Sequence, residues 1–284
     1  MREYSKFLAP ILILALFLSA CSGVKLFYSL IDDFIWDSVE FHLDLEAEGE
    51  EDFTQRKVGE LVDWHRGKML PVYARYLNEQ AVLLEQGPMG RNRLEKSFAE
   101  GRVLILDTIK GAIPFAAMVL VRHRWQERRN YFRDRMKERM EEQLEGLSEP
   151  REERLEERIE RIVDNFERFT GDLNDQQLKI IENHAAKNIE YMAYRLANRQ
   201  LRQQAFIGFL AANPDEAAIA GYIERLLLRP YEIVQPEYQE ISARAIARFK
   251  DMLFKIVMSL TSQQRQKAAA TLRSYAAAFV DQSS

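Results

Sequence analysis

The sequence is poor in cysteine, glycine and proline, and these shortages exclude several classes of protein. One cysteine in 284 residues excludes a disulfide framework and any zinc or iron–sulfur site built from several cysteines. Twelve glycines and eight prolines are too few for collagen, for a disordered chain or for a loop-rich β-sandwich. The net charge of −4 provides no overall positive field, so we expect no nucleic-acid partner.

The N-terminal residues have the pattern of a bacterial secretion signal. A short basic segment precedes an apolar run, residues 7–18, that is too short to span a bilayer. Small residues then lead to Cys21 in the tetrad Leu-Ser-Ala-Cys, which resembles the lipobox of bacterial lipoproteins. The resemblance implies removal of residues 1–20, a signal peptide, and lipidation of Cys21. The alternative is an ordinary signal peptide with an incidental cysteine.

The residue after the cysteine bears on the destination of the protein. Ser22 stands where an aspartate would favour the inner membrane, by analogy with enterobacterial sorting. We therefore expect a protein that a lipid anchor at Cys21 holds on the periplasmic face of the outer membrane. Several acyl chains suffice for stable anchoring, because each buried methylene contributes about 0.8 kcal/mol.

Nearly every later stretch has helical periodicity. Apolar residues at three- and four-residue steps between Glu and Arg, as in residues 155–169, are typical of an amphipathic helix. Strand-like alternation is nearly absent, and residues 231–234 are the one plausibly extended stretch. The pattern predicts an all-α fold, a multi-helix bundle of about eight or nine helices with short loops. We expect an anchor-proximal helix and acidic linker over residues 21–52, and a helical domain over residues 53–284 that could subdivide near residue 171.

Residues 103–121 form the most apolar part of the chain after the leader. Asp107, Lys110, Gly111 and Pro114 interrupt this run, which argues against a membrane-spanning helix. We expect instead a central helix that is buried on most sides and is kinked or broken near Pro114.

Charge is segregated between two neighbouring segments. Residues 122–139 hold eight Lys or Arg and three Asp or Glu, whereas residues 141–160 hold nine Glu and three Arg. The simpler interpretation is a helical hairpin in which the opposite charges face each other. The alternative is that the basic segment faces lipid phosphates near the anchor, since the arginine fork binds two oxygens at once.

The motifs of well-known catalytic sites are missing from the sequence. HExxH, CxxC, GxSxG and GxGxxG patterns and a phosphate-binding loop are all absent. His42, His65, His123 and His184 are far apart, and none has the spacing of a metal-binding pair. We therefore predict that the protein is not an enzyme and has no metal and no cofactor. A metal site assembled from distant residues and a catalytic carboxylate pair stay open as alternatives.

The densest cluster of distinctive residue types is Trp64-His65-Arg66. On a regular helix Trp64 and Lys68 share a face, while His65 and Arg66 point elsewhere. We expect a packing node: Trp64 lies in the core, His65 and Arg66 bond to a neighbouring helix end, and Gly67 lets that helix approach. The alternative is a recognition site in which Trp64 stacks and His65 or Arg66 holds an anion or a carboxylate.

Two short motifs share the pattern LTxxQ, with Asn in place of Thr in the first copy: Leu173, Asn174 and Gln177, and Leu260, Thr261 and Gln264. In each copy a Thr or Asn caps a helix and the Gln three residues later returns the bond, as in a capping box. The pair looks like the repeated signature of Spy-type periplasmic stress chaperones, which are small, helical and free of nucleotide. This chain is much longer than those chaperones.

Taken whole, the chain resembles an uncharacterised family of proteobacterial lipoproteins defined only as a domain of unknown function. The resemblance rests on the segment from Cys21 into Tyr28, on Trp64-His65-Arg66 with Leu70-Pro71, and on the later Leu-Asn-Asp-Gln-Gln step. It implies a helical envelope lipoprotein and supplies no activity. We expect a non-catalytic binding or chaperone-like role in envelope maintenance, with protein clients as partners. The alternatives are an accessory or structural subunit that tethers an envelope complex and, more distantly, a helical hydrolase.

Overall fold

The computed structural model describes residues 22–46, 48–123 and 125–283, so Cys21 and the leader lie outside the described residues. Within these ranges the chain is all-α and holds no β-strand, which confirms the predicted fold class. The helices are α1 (Ser22–His42), α2 (Glu50–Trp64), α3 (Leu70–Glu85), α4 (Arg91–Arg122), α5 (Trp125–Ser148), α6 (Arg151–Thr170), α7 (Asp175–Lys187), α8 (Tyr191–Leu210), α9 (Glu216–Leu228), α10 (Tyr238–Ser259) and α11 (Ser262–Ser283).

Two short turns complete these helices. A π-helical turn, His65–Met69, joins α2 to α3 without a break, so the described ranges hold ten separate helical rods, slightly more than predicted. A single 3₁₀ turn, Pro230–Glu232, follows α9 where the sequence allows an extended segment. Two prolines therefore bound a tight turn here and not a strand.

The apolar core has two main parts, and α4 reaches into both. The first part lies between the end of α3, the start of α4, and α6, α7, α10 and α11, and it contains the fully buried Ile181 and Ile256. The second lies between the ends of α1 and α4, and α5, α8 and α9, and it contains the fully buried Leu210 and Ile219. A smaller cluster around Leu70 joins α1, α3 and α11. Helices on both sides of residue 171 contribute to the first part.

The prediction of a break near Pro114 is wrong. Helix α4 continues through Pro114 over its full 32 residues. A proline inside a helix removes one backbone donor and leaves one carbonyl oxygen without its partner. Because Pro114 lies on an exposed side of α4, water can serve that carbonyl oxygen and the helix persists.

The prediction that this helix is buried on most sides is also wrong. Leu94 belongs to the first part of the core and Ala117 to the second, while the middle of α4 bridges the two. There Val103 and Ile105 are 52% and 55% exposed. By length and composition alone α4 could cross a membrane, and only 11% of its most apolar window is buried. The apolar run therefore forms a helix that connects the two parts of the core and leaves one side exposed.

The predicted hairpin of opposite charges does not form. Helix α5 packs against α8 and α1, whereas α6 packs against α7 and α11. Basic side chains of α5 instead pair along their own helix: Arg135 Nη1 lies 2.5 Å from Glu138 Oε2, and Arg139 Nη1 lies 3.1 Å from Glu142 Oε2. Neighbours three residues apart meet on a helix surface, so these charges need no second helix.

Candidate functional site

Trp64, the last residue of α2, lies directly against α4. A Cβ atom placed on Gly111 would lie only 1.9 Å from Trp64 Cζ2, so the indole occupies the space that a side chain would fill. The centroids of the Trp64 and Phe115 rings are 6.2 Å apart. Gly67, in contrast, faces open space, and its predicted role in close packing is wrong. The close approach of α2 and α4 depends on Gly111.

The helix changes register immediately after Trp64. The π-helical turn over His65–Met69 accommodates one more residue than an α-helical turn. Within this region Trp64 is half-buried, whereas Lys68 is exposed. Single π turns often occur at functional sites, which makes the contacts of the neighbouring side chains informative.

His65 packs inward beside Trp64. Its ring centroid lies 6.3 Å from that of Trp64 and 5.6 Å from that of Tyr73 on α3. Burial lowers the pKa of His65 to about 4, so the ring is neutral at pH 7. The Tyr73 hydroxyl in turn forms a hydrogen bond with the hydroxyl of Thr108 on α4. His65 and Tyr73 thus link the π turn to α3 and α4.

Arg66 leaves the helix on a different side. Its Nη1 lies 3.5 Å from Oδ1 of Asp63, a carboxylate on its own helix and not on a neighbouring helix end as predicted. Its buried Nε has no hydrogen-bond partner among the described residues. Trp64 and His65 pack inward while Arg66 reaches back along the surface, so the three side chains do not converge on one ligand. The contacts favour the packing-node interpretation, and its energetic weight stays a prediction.

Both LTxxQ-like motifs form capping boxes. In the first, Gln177 N donates to Asn174 Oδ1 and Asn174 N donates to Gln177 Oε1, each at 3.0 Å. In the second, Gln264 N donates to Thr261 Oγ1 at 3.1 Å, and Thr261 N donates to Gln264 Oε1 at 3.0 Å. Leu173 and Leu260 pack into the first part of the core beside these caps. The local hydrogen bonding thus agrees with the sequence pattern in both copies.

The structure also brings the two motifs together. Gln177 Nε2 donates to Gln264 Oε1 and Gln264 Nε2 donates to Gln177 Oε1, each at 3.0 Å. Gln177 Nε2 also donates to the Ser259 carbonyl at 3.3 Å, and Gln264 Nε2 donates to the Asp172 carbonyl at 2.9 Å. Each glutamine therefore caps its own helix, pairs with the other and ties down the loop before the other helix. We call this arrangement the glutamine pair.

A buried charged group at the α4–α5 turn was not anticipated from the sequence. His123 Nδ1 lies 2.8 Å from Glu50 Oε1, and Arg128 Nη1 lies 2.6 Å from Glu50 Oε2. Arg128 also donates to the Asp44 carbonyl, which connects α5 to the linker before α2. Burial lowers the pKa of His123 despite the neighbouring Glu50 carboxylate. Glu50 is the first residue of α2, so its contact with a histidine 73 positions away leaves no local signal in the sequence.

These four groups do not form a metal site. In the part of the chain that the structure describes, no cluster of three His, Cys, Asp or Glu side chains could hold a metal ion. The carboxylate of Glu50 instead pairs with Arg128 and accepts a hydrogen bond from His123 Nδ1, so the arrangement ties the α4–α5 turn to the start of α2. Its geometry is that of a buried ion pair that joins two loops.

The outward side of α4 carries apolar side chains that the packing leaves exposed. We define the α4 outer face by its exposed residues in the stretch between the two cores: Arg102, Val103, Ile105, Asp107 and Lys110. Val103 and Ile105 are two positions apart and lie on opposite flanks of this face. The opposite side of the same stretch is held by Trp64 over Gly111 and by the bond of Tyr73 to Thr108. Nearer the start of α4, Tyr76 donates to the Ser97 carbonyl at 3.0 Å. The outer face is thus part of a firmly held helix.

The fold and these junctions define an all-α multi-helix protein whose helices are joined by buried polar contacts. Residues 41–239 match the model of a family of unknown function (DUF6279), and the chain belongs to that family. The match includes Trp64, the first capping motif and α8, and it ends before the second capping motif. Neither the curated proteins nor the solved structures contain a match to this chain. The likeness of the capping motifs to those of Spy-type chaperones, and lipidation, stay predictions.

Proposed function

We propose that this chain is a lipid-anchored, non-catalytic envelope protein that binds apolar segments of client polypeptides on the α4 outer face. The observation that carries the proposal is the exposure of Val103 and Ile105, 52% and 55%, within the most apolar stretch after the leader. When a partner covers such apolar side chains and removes them from water, binding is favoured by about 25 cal/mol per Å² of apolar area buried.

The charges of the α4 outer face favour a polypeptide over a lipid bilayer as the occupant. Asp107 and Lys110 are exposed within the apolar stretch and carry opposite charges. Charged side chains at the depth of lipid tails are costly and rare. A client polypeptide can supply apolar side chains to Val103 and Ile105 and polar groups to both charges. The face therefore suits a partner of mixed chemistry.

The experiment measures how well the chain from Ser22 onward, which contains every described helix, slows the aggregation of a chemically unfolded model client. The test variant carries Val103→Ser and Ile105→Ser. The matched control carries Leu227→Ser and Ile246→Ser, which alter side chains that are 49% and 51% exposed on α9 and α10. Both variants change only surface residues, so each melting temperature should stay close to that of the wild type.

We expect the wild type and the control to delay aggregation and the α4 variant to lose most of this effect. Equal delay by all three proteins would refute the assignment to α4. No delay by the wild type, together with isolation of one defined partner in stoichiometric amount, would replace the client hypothesis by the alternative of an accessory subunit that tethers an envelope complex. Turnover of an ester, glycan or peptide that a single substitution abolishes would refute the non-catalytic role.

The anchor is tested separately in cells grown with labelled palmitate. The wild type should incorporate label and fractionate with the outer membrane, and Cys21→Ser should do neither, because the sulfur of Cys21 is the proposed acceptor. Incorporation of label by Cys21→Ser would show that the lipobox interpretation is wrong. This result is independent of client binding by the helical domain.

A further inference from the structure

Helix α8 presents a row of arginines with no acidic residue on the helix. Its 20 residues include Arg195, Arg199 and Arg202 and contain neither Asp nor Glu. Spacings of four and three residues place the three side chains on one side of the helix. All three are half-buried, at the junction of α8 with α5, the end of α9 and the start of α10. We call this surface the α8 arginine face.

The three guanidinium groups have no counterion in the described part of the chain. None of them lies within 4.0 Å of a carboxylate there. Two of them bond to neutral groups instead: Arg199 Nη1 donates to Gln143 Oε1 at 3.0 Å, and Arg202 Nη1 donates to the Leu226 carbonyl at 3.3 Å. Burial, followed by the charges of the neighbouring arginines, lowers the pKa of Arg199. Half-buried like charges without a counterion oppose folding, so the arrangement calls for an anion.

Polar groups without partners lie on the same side of α8. Arg202 Nε is buried and has no hydrogen-bond partner among the described residues. The same is true of Asn198 Oδ1, on a side chain that is 0% exposed. Buried polar atoms in proteins are nearly always paired, so each of these requires an explanation. One is a donor and the other an acceptor.

The loop before α10 completes the wall of the site. Gln235 has φ of +47°, a left-handed conformation that is unfavourable for a residue with a side chain. Its Oε1 accepts from Asn198 Nδ2 at 3.3 Å. The hydroxyls of Tyr191 and Tyr238 are 3.2 Å apart, and the charges of Arg202 and Arg195 act on the buried Tyr238. A strained residue, two tyrosines and the arginines thus meet at one place.

We propose that the α8 arginine face binds a phosphate group, with Arg195, Arg199 and Arg202 as its cationic ligands. Arginine suits phosphate because its planar fork donates to two oxygens at once. Inorganic phosphate and the phosphate of a glycerol phosphate headgroup both offer such oxygens. The proposal does not depend on client binding at α4, which lies on another helix.

The test uses the full chain in a neutral detergent. Its melting temperature is measured in inorganic phosphate, in sulfate and in sodium chloride at equal ionic strength. A second arm uses Cys21→Ser, which lacks the proposed anchor, in buffer without detergent, and measures its flotation with vesicles of phosphatidylglycerol and of phosphatidylcholine. The variants are Arg195→Gln and Arg202→Gln, and the control is Arg244→Gln on α10, whose side chain is 61% exposed and paired with Glu240.

We expect phosphate, and sulfate with its similar oxygens, to raise the melting temperature more than chloride does. Arg195→Gln and Arg202→Gln should each weaken the apparent affinity by about 10-fold, as expected for the loss of one charge-assisted hydrogen bond, and Arg244→Gln should not. Flotation with phosphatidylglycerol that depends on Arg195, without an effect of inorganic phosphate, would assign the site to a lipid headgroup. The proposal is overturned if chloride raises the melting temperature as much as phosphate does. It is also overturned if the phosphate effect is the same in Arg195→Gln, in Arg202→Gln and in the wild type.

Discussion

The glutamine pair and the α8 arginine face are both clusters of buried polar groups, but they differ in how completely the protein satisfies them. The side-chain amides of Gln177 and Gln264 each accept from the backbone N–H of the capping residue. Each also donates to the other glutamine and to a backbone carbonyl. On α8, by contrast, Arg202 Nε and Asn198 Oδ1 lack partners, and three cations lack a counterion in the described part of the chain. The first arrangement is complete without a ligand, and the second is not.

The difference suggests how to separate scaffold from site in a protein without a recognisable catalytic motif. A polar group that the protein satisfies by itself stabilises the fold, and removing it costs free energy. A polar group that the protein leaves unsatisfied destabilises the fold until a ligand arrives. Substitutions in the two clusters should therefore change the free energy of unfolding in opposite directions, which the following predictions test.

The largest effect is expected at Trp64, which resembles the glutamine pair in that other protein atoms already fill its surroundings. Trp64→Ala should lower the free energy of unfolding by about 3 kcal/mol, at the low end for a large aromatic residue because Trp64 is half-buried. The measurement is a denaturant unfolding curve. Arg66→Ala should cost less, since its recorded partner Asp63 is 78% exposed. If both variants unfolded like the wild type but lost the cellular phenotype, the trio would be a recognition site.

Gly111→Ala provides the control for Trp64. In the wild type the added methyl group would meet the indole and should cost about 1–3 kcal/mol. In the Trp64→Ala background the same substitution should cost nothing. An equal cost in both backgrounds would contradict the contact.

The next effect is expected in the glutamine pair. Gln177→Leu removes the side-chain acceptor of the Asn174 N–H, one of the two capping-box bonds and worth about 1 kcal/mol, and leaves the buried amide of Gln264 without its partner, which costs about 1–3 kcal/mol more. Gln176→Leu, on the exposed neighbour, should change the melting temperature little. Combining Gln177→Leu with Gln264→Leu should cost less than the sum of the single changes. Additive losses would indicate that the two motifs act independently.

A smaller effect concerns acid stability. The pKa of His65 is about 4 in the folded protein and about 6.5 in the unfolded chain, so the unfolded chain binds more protons between these values. The free energy of unfolding should therefore fall as the pH drops below 6.5, and His65 accounts for about 1–2 kcal/mol between pH 7 and pH 5. Burial also lowers the pKa values of His42, His123 and His184, which adds to the same trend. His65→Gln should reduce the acid sensitivity, and an unchanged pH profile would contradict a neutral buried His65.

The smallest effect, with the opposite sign, is expected on α8. Without phosphate, Arg195→Gln should leave the free energy of unfolding unchanged or raise it by up to about 0.5 kcal/mol, because it relieves repulsion from Arg199 and Arg202. Thermal unfolding at low salt is the appropriate measurement, since salt screens this repulsion. A clear loss of stability would place Arg195 with the scaffold and remove the contrast between the two clusters.

Short sequence motifs predicted the structural features that form between neighbouring residues. The capping boxes at Asn174 and Thr261 follow from four consecutive residues, because a capping bond always joins the same positions of a helix. The candidate sites were harder to find. The arginines of α8 form no recognisable motif, because neutral residues separate them. A 20-residue helix with three arginines and no acidic residue is nevertheless a sequence signal for an anion site. The π turn after Trp64 has no sequence pattern that we recognise.

Two of the failed expectations concern which helix faces meet. The apolar run at 103–121 predicted a helix correctly, but not that its middle would bridge two cores and stay exposed. The charge blocks at 122–139 and 141–160 suggested a hairpin, yet pairing along α5 already satisfies many of these charges. Periodicity gives the faces of a helix and says nothing about its neighbours.

The amino-acid sequence by itself determined the all-α class and the two caps, because these depend on bonds between residues at most a few positions apart. Only the tertiary structure decided that Gln177 meets Gln264, that Gly111 makes room for Trp64, and that α8 keeps its arginines without a counterion. Contacts between residues this far apart depend on how eleven helices share two cores. Many packings satisfy the same helical periodicity, so the arrangement is set by the fit of whole surfaces and not by spacing along the chain.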